Sequence, residues 1–143
     1  EHRNMPTMRE FRPEPTFDIN PADAEALGIV QNDMCVLKNQ FGFCELRANV
    51  SAIVKPGVVH ADHGWWYPEE DPNEPHLYGV FRSNINNLVP NFHFGKMGFG
   101  APFKCLLCSV TKGSLADMMS EEELIAGGYD RPAVSNWKEG RNA

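Results

Sequence analysis

One stretch organises this sequence: Val58-Val59-His60-Ala61-Asp62-His63-Gly64-Trp65-Trp66-Tyr67-Pro68. It starts with apolar, β-branched residues that are typical of a strand, and its proline stops the pattern. Between them stand two histidines, a glycine and three large aromatic side chains. Such residues at the end of a strand suit a flat ligand better than a plain core. The stretch therefore predicts a strand over residues 57–63 that leads into a binding loop.

Short strands and turns are predicted on both sides of this stretch. Alternating apolar residues indicate further strands over 17–20, 34–39, 43–50 and 104–112, and the middle two are predicted to form a hairpin. A single short helix is expected after Asn20-Pro21, because asparagine is a favoured N-cap and proline a favoured first helical residue. Short strands at close spacing with one inserted helix favour a small β-barrel over an alternating βαβ sheet.

Size and charge narrow the classes of function. The chain has 143 residues, 42% of them hydrophobic and 22% charged, which fits a single globular domain. Its net charge of −6, without any block of Lys or Arg, argues against nucleic acid or an anionic membrane as the main partner. No apolar run reaches the roughly 18 to 20 residues needed to span a bilayer. The four cysteines lie among strand-like residues and are expected to be buried free thiols.

The chain divides into three predicted parts. Residues 1–16 form a polar terminal arm in which Arg3, Arg9 and Arg12 offer guanidinium groups that suit a phosphate or a carboxylate. The alternative is an arm that is only loosely held. Residues 17–112 carry the barrel. Residues 113–143 form a polar tail with one short helical turn predicted at 120–125.

Two pairs of potential metal ligands are incomplete. Cys105 and Cys108 are separated by two leucines, and His60 and His63 show the same spacing. In a strand, residues three apart point to opposite faces, and no further ligands complete either pair. The sequence also lacks a nucleophile motif and a phosphate-binding glycine loop. These residues predict a binding surface without catalytic machinery.

A segment rich in side-chain amides follows the aromatic stretch. Ser83-Asn84-Ile85-Asn86-Asn87-Leu88 contains three asparagines within four residues. Each amide combines a donor and an acceptor on one plane, which suits the edge of a heterocycle such as guanine or a pterin. The alternative is a turn-rich loop whose asparagines bond their own backbone.

The order of these motifs resembles a known family. It runs from Ile19-Asn20-Pro21-Ala22-Asp23-Ala24 through Pro56-Gly57-Val58-Val59 and His63-Gly64-Trp65-Trp66-x-Pro68 to Ser83-Asn84-Ile85-Asn86-x-Leu88 and Leu106-Leu107-Cys108-x-Val110. Together with the arm, this set resembles the C-terminal, molybdopterin-dinucleotide-binding domain of the dimethyl sulfoxide reductase family, over roughly residues 1–112. The third and fourth elements are most similar to its polysulfide/thiosulfate-reductase-like and acetylene-hydratase-like branch.

The resemblance implies a fold, a cofactor and a larger protein. The implied fold is mainly β, a six-stranded double-psi β-barrel with short peripheral helices. The implied cofactor is bis(molybdopterin guanine dinucleotide), carrying molybdenum or tungsten. The implied partners are upstream domains of the same oxidoreductase, with an Fe–S cluster, which contain the catalytic centre. This domain alone is expected to bind cofactor without turning over substrate. No partner nucleic acid or membrane is expected, and the expected location is the cytoplasm, or the periplasm if the full-length protein carries an export signal.

The resemblance also implies a set of cofactor-binding residues and no catalytic or metal-ligating ones. The implied set is His2, Arg3, Asn4, Arg9, His63, Gly64, Trp65, Trp66, Asn84, Asn86 and Lys104. Lys104 stands where related sequences often have arginine, and lysine is a point charge without the bidentate fork. Asn32-Asp33 replaces the more usual Gly-Asp turn, which is expected to matter only to the local backbone.

Two other hypotheses remain open at this point. The first is a stand-alone small β-barrel that acts as a binding or assembly module without catalytic activity. The second is a small metal-binding protein that uses Cys105, Cys108, His60 and His63. An upstream in-frame segment with a Cys-x-x-Cys-x-x-x-Cys motif would favour the oxidoreductase, and a start codon just before Glu1 would favour the stand-alone module. Purified protein without stoichiometric zinc or iron would contradict the metal-binding protein.

Overall fold

A computed structural model describes residues 5–70, 72–73, 77–90, 106–118 and 120 of the chain. The strands are β1 (Thr16–Ile19), β2 (Met34–Lys38), β3 (Phe43–Val50), β4 (Val59–Ala61) and β5 (Ser109–Lys112). The α-helices are α1 (Pro6–Phe11), α2 (Pro21–Ala26), α3 (Val80–Ser83) and α4 (Leu115–Met118), and two short 3₁₀ segments cover Leu77–Gly79 and Ile85–Leu88. The prediction of a mainly β fold with short helices is confirmed.

The five strands form one sheet in the order β4-β1-β3-β2-β5. β1 and β3 run parallel, with Asp18 opposite Asn49, while the other neighbouring strands are antiparallel. In the described residues this is an open five-stranded sheet, and closure into a six-stranded barrel stays a prediction. The last strand is shorter than predicted, since it begins at Ser109 and not at residue 104, and residues 106–108 are irregular.

The first turn of α2 forms as its sequence predicts. The Asn20 side chain accepts a hydrogen bond from the Ala22 N–H at 3.0 Å and donates one to the Val54 carbonyl at 2.8 Å. Pro21 is the first helical residue. The chain leaves the helix through Gly28, whose φ of +65° lies in the left-handed region that glycine adopts without steric cost. The predicted N-cap, helix and stop signal are confirmed.

The predicted hairpin of β2 and β3 is closed by one side chain. The Asn39 Oδ1 accepts from the backbone N–H groups of Phe41 and Gly42, at 2.9 and 3.2 Å. The Asn39 N–H in turn donates to the Gly42 carbonyl at 2.9 Å. These bonds fix the register in which Lys38 lies opposite Phe43. The hairpin is therefore specified locally, by asparagine and glycine in its turn.

The sheet is covered on both faces. The larger cluster of buried residues comprises Phe17, Ile19, Ala24, Ile29, Cys35, Leu37, Cys44, Leu46, Ala48 and Leu88. The smaller cluster comprises Val36, Phe43 and Leu115, with Phe81 and Met118 packed against it. Alternate residues of β2 and β3 thus enter different clusters, so both strands are central to the domain.

The cysteines follow their prediction as far as they are described. Cys35 and Cys44 are buried free thiols in the larger cluster, and Cys108 is a half-buried free thiol at its margin. Burial raises the pKa of all three thiols. Cys105 lies outside the described residues. The described thiols therefore act as small apolar core residues.

The Asn32-Asp33 turn gives a first testable prediction. Asn32 has a φ of +69°, a conformation that asparagine tolerates and most other side chains do not. We expect Asn32→Ala to lower the free energy of unfolding by roughly 1 kcal/mol. Asn32→Gly, the matched control, relieves the backbone strain and should leave that free energy unchanged or slightly higher. Urea unfolding of the three proteins tests this, and an equal loss in both variants would assign the effect to the asparagine side chain.

Candidate functional site

The loop after β4 places its two adjacent tryptophans in different environments. We call residues 63–68 the HGWW loop. Gly64 turns the chain with a φ of +67°. Trp65 is 5% exposed and lies edge-on to Tyr67, with ring centroids 6.4 Å apart, whereas Trp66 is half-buried and lies edge-on to Tyr78 at 5.2 Å. Trp65 therefore packs inside the protein, and Trp66 presents the more accessible ring of the two.

The amide segment, residues 83–88, is more ordered than the sequence predicts. It contains the end of α3 and a 3₁₀ segment, where a loop is predicted. The Asn84 Oδ1 accepts from the Asn86 N–H at 3.0 Å and caps the 3₁₀ segment. The Asn87 Nδ2 donates to the carbonyls of Val80 and Phe81, at 3.1 and 2.9 Å. For Asn87 and for the Asn84 oxygen, the interpretation as local backbone bonding is therefore right.

Two groups of the amide segment stay available to a ligand. Asn86 is exposed, and its side-chain amide has no hydrogen-bond partner within the part of the chain that the structure describes. The same holds for the Asn84 Nδ2, because its capping bond uses only the oxygen. These two side chains together offer donors and an acceptor on planar groups.

The HGWW loop packs against the 3₁₀ segment at Leu77–Gly79, which leads through α3 into the amide segment. The Tyr67 N–H donates to the Tyr78 carbonyl at 2.8 Å. A Cβ placed on Gly79 would lie 2.6 Å from Glu70 Oε2 and 3.0 Å from Tyr67 Cδ2, so the two segments are in tight contact there. Leu77 and Tyr78 also have positive φ values, +46° and +57°. Strained residues of this kind cluster at functional sites, which supports a role for this region.

A largely buried arginine joins the same region. Arg82, in α3, pairs with Glu70, and its guanidinium carbon lies 4.9 Å from the centroid of the Tyr67 ring. Burial alone would lower the pKa of Arg82, but the Glu70 carboxylate outweighs it and raises that pKa. Burial raises the pKa of the Tyr67 hydroxyl, although Arg82 opposes the shift. Arg82 therefore stays charged and Tyr67 stays neutral at physiological pH.

In the described residues, an ion pair joins the terminal arm to the residue that follows the HGWW loop. Arg9 in α1 donates to Glu69 at 3.0 Å, and both side chains remain partly exposed. The sequence does not predict this helix, but it does predict a guanidinium group of the arm near the ligand. An exposed ion pair of this kind contributes at most about 1 kcal/mol to stability.

The remaining predicted site residues are less informative. His63 is exposed at the start of the HGWW loop. His2, Arg3, Asn4 and Lys104 lie outside the described residues, so their role stays a prediction. The contacts described above connect Arg9 to Glu69 and Trp66 to Tyr78, while Asn84 caps the 3₁₀ segment that begins at Ile85.

His60 belongs to a polar ladder across the sheet, away from this region. Its Nδ1 lies 3.0 Å from Asp18 Oδ2, and Asn49 donates to Asp18 Oδ1 at 2.6 Å. The Asn49 Oδ1 in turn accepts from Gln31 at 3.0 Å. No three metal-binding side chains meet anywhere in the described ranges. His60 therefore takes part in cross-strand bonding and not in a pair with His63.

Comparisons with known proteins identify the family of the chain. The family of molydopterin dinucleotide binding domains matches residues 1–106. The chain is 34% identical over 93 residues to a dopamine dehydroxylase of Eggerthella lenta, covering 64% of this chain and 9% of that protein. It is 38% identical over 91 residues to the catalytic subunit of a putative dimethyl sulfoxide reductase from Halobacterium salinarum, covering 64% and 11%.

A solved structure has a similar fold. The acetylene hydratase from Pelobacter acetylenicus superposes with a TM-score of 0.64 at 17% identity, over 79% of this chain and 16% of the hydratase. In each of these comparisons the chain spans a small fraction of the other protein, between 9% and 16% of its length.

None of the helices in the described residues is both long and apolar enough to cross a membrane.

Proposed function

Because the chain belongs to the molydopterin dinucleotide binding domains, and to the dimethyl sulfoxide reductase family within them, we propose that it holds its cofactor with the HGWW loop and the amide segment. The observation that carries this proposal is that the HGWW loop packs on the residues that lead into the amide segment, through the Trp66–Tyr78 ring contact and through Arg82 against the Tyr67 ring. A flat ring system needs apolar faces and edge-on hydrogen bonds, and the loop and the amide segment supply both.

The described residues fit a molybdopterin dinucleotide in their donor set. The amides of Asn84 and Asn86 suit the edge of a pterin or guanine ring, and Arg9 suits a phosphate. Trp65 is the least suitable of the proposed residues, because it is only 5% exposed. It fits better as the packing residue that holds the loop. The bound cofactor would supply the metal and its redox chemistry, while this chain binds and orients the cofactor.

The form of the cofactor, its metal and the other domains of the enzyme are part of the same proposal. We propose the bis(molybdopterin guanine dinucleotide) form of the cofactor, with molybdenum or tungsten. Supporting a cofactor of this kind, the family of molydopterin dinucleotide binding domains matches most of the chain. We also propose that this chain is one domain of a much longer oxidoreductase whose other domains contain an Fe–S cluster and the reacting centre. Its coverage of about a tenth of the matched relatives supports this.

The six-stranded double-psi barrel is also part of the proposal. Its support is the sheet itself, in which the parallel pair of β1 and β3 lies within antiparallel neighbours. The acetylene hydratase likeness supports the same fold. A sixth strand would have to pair at an open edge, beside β4 or β5. An experimental structure of the cofactor-loaded protein that retained an open five-stranded sheet would contradict this.

Two adjacent asparagines provide the test of the proposed site. We expect Asn86→Ala in the full-length protein to lower cofactor content roughly tenfold, because an exposed ligand amide is lost, and to leave the melting temperature unchanged. Asn87→Ala is the matched control. It removes two hydrogen bonds to backbone carbonyls, so it should lower the free energy of unfolding by about 1 to 3 kcal/mol.

The measurements are metal and pterin per mole of purified protein, together with melting temperature. The proposed site predicts that cofactor content and stability respond to different members of the asparagine pair. Full cofactor content in the Asn86→Ala protein would remove Asn86 from the site. Wild-type protein that contains neither metal nor pterin would contradict the proposed function as a whole.

A further inference from the structure

Arg82 touches three parts of the domain with one side chain. Its Nη2 donates to Glu70, just beyond the HGWW loop, and its Nε lies 3.5 Å from Glu45 Oε1 on β3. Its guanidinium faces the Tyr67 ring at 4.9 Å. Along the chain, Arg82 directly precedes the amide segment. The side chain therefore connects the central sheet and the HGWW loop to the segment that carries Asn84.

Glu45 fixes one end of this connection. Its residue is 2% exposed, on the face of β3 that α3 and α4 cover. Oε2 accepts from the Leu115 N–H at 3.1 Å, so the carboxylate also holds the start of α4. A carboxylate buried this deeply is stable only with charged and hydrogen-bonded partners, and Arg82 is one of these partners.

The geometry of arginine matters here beyond its charge. Glu45 and Glu70 approach different nitrogens of the same guanidinium, and the Tyr67 ring lies against it. A lysine ammonium is a point charge on a flexible stem and cannot keep these three contacts at fixed positions. The fork therefore sets the position of the loop relative to the amide segment.

We infer that Arg82 is a positioning residue for cofactor binding. It ties the HGWW loop, which carries Trp66, to the start of the amide segment, which carries Asn84 and Asn86, and so fixes the two relative to each other. The inference rests on the proposed function of those residues. A purely structural role for Arg82 can be tested separately. Replacing both members of a buried ion pair by neutral groups of similar volume is often neutral for stability, whereas removing only one member is costly.

The experiment separates the effect of Arg82 on stability from its effect on cofactor binding. In the full-length protein, Arg82→Met takes a cation away from the buried Glu45 carboxylate, so both the melting temperature and the cofactor content should fall. The double variant Arg82→Met/Glu45→Gln removes the buried carboxylate charge together with the arginine and keeps an acceptor for the Leu115 N–H. We expect it to regain most of the lost melting temperature while its cofactor content stays roughly tenfold below wild type.

Two single variants complete the set. Arg82→Lys keeps the charge, so we expect near wild-type stability with an intermediate cofactor content. Arg47→Met is the matched control, because Arg47 pairs with Glu14 and donates to the Asn32 carbonyl, on another part of the surface. It should lose some stability and no cofactor. Metal and pterin per mole of protein, and the rate at which pterin is released during gel filtration, are the readouts.

The outcomes distinguish this inference from the proposed function. If the double variant regains cofactor together with melting temperature, or if Arg47→Met loses as much cofactor as Arg82→Met, Arg82 is only structural and the inference is wrong. If the wild-type protein contains metal and pterin, the proposed function stands whichever way the Arg82 variants behave. If wild-type protein contains none, the proposed function fails first.

Discussion

Replacing Phe17 with alanine is expected to lower the free energy of unfolding by about 3 to 5 kcal/mol, the usual cost of removing a fully buried aromatic ring. Phe17 is 0% exposed and lies on β1, opposite Ala48 on one side and Ala61 on the other. These small neighbours cannot fill the space of the lost ring, so a cavity would remain. Because domains of this size are stable by only about 5 to 15 kcal/mol, the variant should lie close to unfolding at about 37 °C.

Phe11→Ala is the matched control for this experiment. Phe11 is 75% exposed at the end of α1, so its loss should change the free energy of unfolding by less than about 0.5 kcal/mol. Urea unfolding followed by circular dichroism measures both variants. A loss below about 1 kcal/mol for Phe17→Ala would mean that β1 is not part of the cooperative core.

Alkaline pH is expected to destabilise the domain strongly. Burial raises the pKa of the Cys35 thiol from 9.0 to about 11, with a further contribution from the Asp33 carboxylate. Burial raises the pKa of Cys44 as well. Above about pH 9 the unfolded chain therefore releases thiol protons that the folded chain retains. The stability is complete below about pH 9 and is lost as the pH rises towards 11, by about 2 to 3 kcal/mol for Cys35 alone.

The test compares slopes of stability against pH, and not absolute stabilities. Between about pH 9 and 11, Cys35→Ala should flatten the slope by up to about 1.4 kcal/mol per pH unit, the value for one proton. Leu46→Val is the control, because Leu46 lies opposite Cys35 and does not titrate. It should lower stability equally at every pH. Equal slopes in wild type and Cys35→Ala would show that Cys35 ionises normally in the folded protein.

The locally encoded parts of the fold were predictable from the sequence. The Asn20-Pro21 start of α2 and the β2–β3 hairpin depend on residues within a few positions of each other, and both form as predicted. The residues at which each strand begins and ends were less predictable. β4 covers only residues 59–61 of the predicted 57–63, because its pairing with β1 ends there.

The part of the site that depends on distant residues was not predictable. Glu45 alternates with apolar residues along β3, a pattern typical of a solvent-facing side chain, yet α3 and α4 bury it. Its partners Arg82 and Leu115 are far away in the sequence, so no local pattern identifies them. The double tryptophan likewise indicated a binding loop without telling which ring is buried.

The amide segment shows a different limit of prediction from sequence. Its composition predicted hydrogen bonding and could not distinguish a ligand from the backbone. Only the structure separates Asn87, which bonds Val80 and Phe81, from Asn86, which is exposed. The charge of an arginine at position 82 was visible in the sequence, but its place between two carboxylates was not.

The parallel pairing of β1 with β3 constrains the order in which the chain can assemble. Among the described strands, β2 and β3 pair locally, while β1 must find β3 and β4, and β2 must find β5 near residue 112. Pairing between distant residues slows folding, so the hairpin should form first and β1 should insert between β3 and β4 afterwards. During synthesis, the segment with Phe17 leaves the ribosome before either neighbour exists. It stays exposed to misassociation until residue 61 has followed.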